Sequence, residues 1–286
     1  MAAAKDAPVV MWFREDLRLS DQPALAAALA LKAPLICLYI LDEESPGLRA
    51  LGGASRWWLH HSLEALSKDI EARGGRLDIL RGAARKLILD VTRASGAQAV
   101  MWTRRYDAAA IELDKQIKAD LLQDEVKAES FNGQLLHEPW TIQNKAGEFF
   151  RVFTPFWKTC LAKGNPEAPL AAPRKLTQTV WPSKAPKRLK LKDLQLLPTK
   201  PDWAGGLRES WVPGEAGAKA LLKSFLDEGL SHYAAERDRP DRPATSRLSP
   251  HLRFGEISPR QVVVAARHAG DAEKASGKMS RNSSRK

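Results

Sequence analysis

Over the first 135 residues, apolar positions follow two alternating rhythms. Short apolar runs bounded by polar or turn residues read as strands: VVMWF (9–13), PLICLYIL (34–41), RLDILRG (76–82), QAVMWT (98–103) and VKAESF (126–131). Between them, QPALAAALAL, SRWWLHHSLEALSKDIEARGG, ARKLILDVTRAS and YDAAAIELDKQIKADLLQ space their apolar residues at helical period. Leu59, Leu63, Leu66 and Ile70 share one helix face. Ser20 or Asp21 is placed to cap the first helix, Pro23 suits its opening turn, and Gly74-Gly75 stops the second. Strands alternating with helices predict right-handed crossovers and a doubly wound, five-stranded parallel sheet of the α/β class within residues 1–135. Such sheets bind ligands beyond the carboxyl ends of their strands. No Gly-x-Gly-x-x-Gly or Walker-type lysine loop occurs, so dinucleotide and P-loop readings lack support.

After residue 135 the rhythm breaks. Residues 136–214 read as a helix followed by a connector, and 164–214 are rich in Pro, Lys and Trp. This connector is expected to lie against the surface, anchored by Trp181, Trp203 and Trp211. An amphipathic helix then starts near Glu215, with Leu221, Leu222, Phe225 and Leu226 as its apolar face and Gly229 as its end.

Composition narrows the class. No apolar run is long enough to span a bilayer, and the start has no signal core with a cleavage site, which places the protein in the cytoplasm without a membrane partner. Cys37 and Cys160 read as reduced packing residues, and no ligand spacing for a metal is present. His60 and His61 are adjacent on a helix and so do not form a metal pair. The net charge of +11 is uneven: residues 237–286 hold 12 Lys/Arg against 5 Asp/Glu. That excess suits either polyanion contacts or a solvated basic face.

The segment TSRLSPHLRFGEISPRQ (245–261) packs hydroxyls and arginines into a turn before a helix. Convergent hydroxyls and backbone N–H groups at such a turn can hold a diphosphate, and they can equally be an ordinary capped helix start.

Six motifs occur in a fixed order over roughly residues 9–268: VVMWFREDLRLSDQPAL, LYILDEE, GGASRWWLHHSLEAL, RVFTPFWK, YAAERDRP and TSRLSPHLRFGEISPRQ. Together they resemble the DNA photolyase and cryptochrome family, most closely its bacterial class I-type enzymes for cyclobutane pyrimidine dimers. The resemblance implies a Rossmann-like antenna domain (1–135), a helix and connector (136–214), and the first helices of an all-helical FAD-binding domain (215–268). It implies light-driven repair of UV-induced pyrimidine dimers in DNA by electron transfer from reduced FAD, in a monomer. Tyr233 and Thr245, Ser246, Arg247, Leu248 and Ser249 match the family's FAD-binding positions, and Arg237 matches a DNA-backbone contact. The alternative for Arg237 is an ion pair with Asp238 or Asp241. No side chain is assigned a catalytic role, because the cofactor carries the chemistry. Arg14, Asp16 and Arg18 are expected to order the first loop by mutual ion pairs. The resemblance further implies a second, light-collecting chromophore in the N-terminal domain, a folate or a deazaflavin, with a differently placed pigment or none as the alternatives. Ala109 and Ala110 stand where one folate-binding branch has Asn-Glu, which argues against that form of the site.

The resemblance stops before residues 269–286, read as a polar tail. The final MSRNSSRK can be encoded by codons that, shifted by one base, read D-V-E-K-F-L-S-E, near the helix expected next in the family. A frameshifted truncation is therefore expected, with the 215–268 helices loosely docked and with negligible FAD binding and dimer repair. Two other readings stand beside it: a standalone antenna module for a nucleotide-like ligand, and a fragment of a cryptochrome-type blue-light receptor.

Overall fold

A computed structural model describes residues 7–275. Its five strands form where the apolar runs predict them: β1 (Val9–Phe13), β2 (Leu35–Leu41), β3 (Leu77–Arg81), β4 (Ala99–Thr103) and β5 (Lys127–Phe131). They pair in parallel in the order β3-β2-β1-β4-β5. The crossovers are α1 (Pro23–Ala30), α2 (Gly53–Glu71), α3 (Ala84–Ser95) and α4 (Ala108–Gln123).

Strand residues alternate between the two faces. Val9, Met11 and Phe13 of β1 join Leu35, Cys37 and Tyr39 of β2 against α1 and α2. Val10, Trp12, Ile36 and Leu38 pack on the other face against Ile88, Val91, Leu113 and Ile117 of α3 and α4. Cys37 lies inside the first layer, where burial pushes its thiol up to about 12, as befits a packing residue.

The Pro/Lys/Trp-rich connector does more than lie on the surface. Leu176, Leu194, Leu196 and Ala204 are buried in the core beside α2. Its backbone bridges to Leu35 through Gln178 and to Ile79 through Leu189, which covers the β3 edge of the sheet. The three tryptophans differ. Trp181 packs on the α3/α4 face, Trp203 lies half exposed over Gly53, and Trp211 meets Trp58 edge-on at 5.3 Å.

The connector also carries α5 (Phe153–Ala162) and α6 (Gly205–Ser210). Beyond it come α7 (Glu215–Ser224), which continues as a π-helical turn over Phe225–Gly229, then α8 (Tyr233–Glu236), α9 (Ser249–Arg253) and α10 (Pro259–Ala275). The helix expected over ISPRQVVVAARHA runs on to Ala275, so the polar stretch begins inside it. The frameshift reading of MSRNSSRK lies outside the described residues.

Candidate functional site

The segment after Gly214 reaches the sheet unit mainly through buried polar groups. Its own apolar cluster is small: Ala218, Leu222, Leu248 and Ile257, with Leu221, Leu226, Val262 and Ala265 around them. Glu256, fully buried, accepts from the indole N–H of Trp58 at 3.1 Å, the Gly214 N–H at 2.7 Å and the Ser62 hydroxyl, and pairs with His251. Glu215 accepts from the Leu19 N–H at 2.8 Å and from the Ser20 hydroxyl. Asp21 accepts from the Leu170 N–H, the Ser258 hydroxyl and the Arg260 guanidinium.

Ser20 and Asp21 therefore do not cap α1. Its N-cap is Gln22, with no side-chain cap, and Asp21 takes a left-handed φ of 50° that turns its carboxylate toward α10. Gly255 lets the turn after α9 meet the loop after β1. Its φ is +65°, and a Cβ there would lie 2.1 Å from the Glu15 carbonyl oxygen.

Nor do Arg14, Asp16 and Arg18 form mutual ion pairs. Arg14 reaches across to Asp114 at 2.8 Å, while Asp16 accepts from the Arg14 backbone N–H and the Gln22 amide. Arg18 donates only to carbonyls, those of Ser20, Asp21, Gly133 and Gly255. Burial favours this outcome: a guanidinium in a closed loop is best satisfied by several fixed carbonyls around its fork.

Two concave sites follow from this framework. The first lies between α7 and the hydroxyl-rich turn and has a volume of about 260 Å³. Thr245, Ser246 and Arg247 line one wall, and Ser224, Phe225, Glu228, His232 and Glu236 contribute to the other. Among the described residues, no group accepts from the backbone N–H of Thr245, Ser246, Arg247 or Leu248, and neither the Thr245 nor the Ser246 hydroxyl has a partner. Arg247 has φ +52°, and Leu248 follows in the right-handed region at φ −81°, ψ −5°. Alternating handedness of this kind turns successive N–H groups toward one point, an anion-binding concavity. Leu248 fills the small apolar cluster, and Ser249 opens α9.

Tyr233 stands beside the cleft, edge-on to Phe225 at 5.7 Å. Arg237 lies over the Tyr233 ring at 6.0 Å and 3.5 Å from Asp238, both on the surface. Sequence reading missed the α7 wall, whose π-turn has no local signature. Glu228 of the π-turn and Glu236 of α8 line the same space as Arg247.

The second site lies beyond the carboxyl ends of β1, β2 and β4, where the strand order reverses. Trp12, Arg14, Glu15, Tyr39, Arg105 and Phe254 line a small cleft of about 100 Å³, with Leu48, Arg49 and Leu51 among its other walls. Trp12 Nε1, Arg14 Nε and Arg105 Nε are buried there without a hydrogen-bond partner. Burial pushes the Tyr39 hydroxyl up, so it stays protonated as a donor. At the folate-type position, Ala110 is buried behind the Asp107 cap and Ala109 contacts Gly47. His60 and His61 meet edge-on at 5.2 Å, with His61 against Trp57. Among the described residues no group of His, Cys, Asp and Glu is placed to hold a metal, and no helix is long and apolar enough to cross a membrane.

Comparison with known proteins agrees with this layout. The DNA photolyase family profile matches residues 9–174. Over 264 residues the chain is 49% identical to the deoxyribodipyrimidine photo-lyase of Agrobacterium fabrum, covering 92% of this chain and 54% of that protein. It is 36% identical to cryptochrome-2 of Arabidopsis thaliana, over 92% of this chain and 43% of that one. The crystal structure of a bacterial class III photolyase from Agrobacterium tumefaciens superposes with a TM-score of 0.86 at 44% identity, over 97% of this chain and 58% of that one. The chain spans about half the length of these relatives. Sequence motifs, sheet order and these matches agree: the chain belongs to the DNA photolyase family.

Proposed function

We propose that this chain supplies the antenna domain and the diphosphate clamp of a deoxyribodipyrimidine photo-lyase that repairs UV-damaged DNA with light. The observation that supports this reading most directly is the cleft at Thr245, Ser246 and Arg247, with its unpaired N–H groups, free hydroxyls and cation. Bound reduced FAD would supply light-driven electron transfer to a pyrimidine dimer. Thr245, Ser246 and Arg247 suit its diphosphate, while Glu228 and Glu236 on the facing wall would repel it and confine it to the turn side of the cleft. A cleft of 260 Å³ is below the roughly 300–1,000 Å³ that encloses a drug-sized ligand, so the ring systems would lie outside it. Tyr233 would flank the ribose side, and Arg237 would neutralise a DNA phosphate, which raises affinity without reading sequence.

Binding of inorganic pyrophosphate to the purified chain tests the reading. Arg247→Ala should weaken it, and so should the double change Thr245→Ala, Ser246→Ala. Pyrophosphate affinity indifferent to both variants would end the assignment. For DNA, Arg237→Ala should reduce the salt slope of binding to UV-irradiated duplex by about one.

The second site favours an additional ligand. Three buried, unpartnered donors around the ends of β1 and β4 suit a planar, acceptor-rich ring such as a deazaflavin or a folate pterin. A cleft of 100 Å³ is too small for one, so Leu48, Arg49 and Leu51 at its rim would have to move. Quenching of Trp emission by either pigment, reduced in Trp12→Phe, checks this.

A further inference from the structure

Arg247 has an unusual position for the cation of an anion site. Its side chain is exposed and forms no ion pair among the described residues, and its one hydrogen bond is a long 3.5 Å contact to the Ser210 carbonyl. What holds it is a ring: the guanidinium sits 4.3 Å from the centroid of Trp211. Trp211 comes from the connector, directly after α6, and its backbone N–H closes that helix on the Leu207 carbonyl at 3.0 Å.

The ring is itself fixed. Trp211 packs edge-on against Trp58 at 5.3 Å, and Trp58 is tied through its indole N–H to the buried Glu256. Phe254 stacks on Trp58 at 6.2 Å from the opposite unit of the chain. A continuous set of contacts thus runs from the sheet unit through α2 and the connector to the wall of the cleft.

We infer that Trp211 is a positioning residue for the anion cleft, holding the Arg247 guanidinium at its mouth so that a diphosphate meets an ordered cation. This rests on the cleft being the diphosphate site. The physical reason is entropy. A free arginine side chain at the surface must give up its rotamers when it binds, and a flat π face that already orders the fork removes part of that cost while leaving its N–H donors available to oxygen. A carboxylate partner would order it as well but would compete with the phosphate for the same donors. An indole does not.

The test is a double-mutant cycle on the full chain, read by calorimetric titration with inorganic pyrophosphate. Trp211→Leu should weaken binding about threefold, in keeping with an exposed cation–π contact, and Arg247→Ala should weaken it more. The double variant should bind no more weakly than Arg247→Ala alone, because Trp211 acts only through that arginine. Additive losses, or wild-type affinity in Trp211→Leu, would overturn the inference.

Trp211 also contacts the core, so a second variant guards against misfolding. Trp211→Phe keeps a π face and should retain affinity within about twofold. Pyrophosphate should change the tryptophan emission of the wild type, and that change should vanish in both Trp211→Phe and Arg247→Ala. If the change survives in Trp211→Phe, the ring is not in contact with the responding cation and the inference is wrong. If the wild type binds no pyrophosphate at all, the cleft assignment fails and this inference falls with it. The two failures are thereby distinguishable.

Discussion

The indole N–H of Trp58 donates to Glu256 across 198 residues of sequence, at 3.1 Å inside the protein. This bond ties α2 to the turn after α9, and the same carboxylate gathers Gly214, Ser62 and His251. Glu256→Ala strands all these groups without their acceptor. The expected loss is about 3–5 kcal/mol in urea unfolding, with a smaller loss for Glu256→Gln, which keeps one acceptor oxygen. A loss under about 1 kcal/mol for the alanine variant would show that Glu256 is not the pin described here.

Acid should loosen the attachment of α7 and α10. Burial alone would raise the carboxyls of Asp21 and Glu215. At Asp21, hydrogen bonds from Arg260, Ser258 and the Leu170 N–H outweigh it; at Glu215, Lys219, Ser20 and the Leu19 N–H do so. Both groups therefore lie below their ordinary values of 3.8 and 4.5. Stability from such a group is fully present above its unfolded pKa and is lost as pH falls through the folded value. Hydrogen exchange at the Leu170 N–H should stay protected down to the ordinary Asp value of 3.8 and open only at lower pH, and Asp21→Asn should remove that step. Opening at the same pH in Asp21→Asn would assign the acid response elsewhere.

Gly255 should tolerate no side chain. Its left-handed φ and its approach to the backbone at Glu15 and Asp16 leave no room for a Cβ. Gly255→Ala is expected to cost at least about 2 kcal/mol in thermal unfolding, from backbone strain and overpacking together. Near-native stability would mean that the segment can dock by another path.

The connector should behave as core. Leu194 is fully buried beside α2, so Leu194→Ala should cost about 2–5 kcal/mol. A fragment ending at residue 163 would lose Leu176, Leu194, Leu196 and Ala204 from that layer, and should bind a hydrophobic dye that the full chain does not. A monomeric fragment with native stability and no dye binding would contradict this.

Periodicity alone, read within windows of five to twenty residues, located all five strands and the four crossover helices, since alternation and helical spacing are local properties of a chain that must bury one face. The hydroxyl-rich turn proposed to hold an anion was legible as well, because hydroxyls, arginines and a following helix are neighbours in sequence. The partners of Asp21, Glu215 and Glu256 were not. Asp21 is joined to residues 149 to 239 positions away, Glu215 to Leu19 and Ser20 across 195 to 196, and Glu256 to α2 across 194 to 198, and a lone serine or aspartate before a helix looks the same whether it caps that helix or reaches another. Arg18 and Arg14 show the same limit: a nearby aspartate in sequence was the obvious partner, and the fold offered carbonyls and Asp114 instead. Sequence thus determined which segments form the sheet. Only the tertiary structure decided which buried charge meets which donor, because desolvation makes that choice among groups that come together when the chain folds.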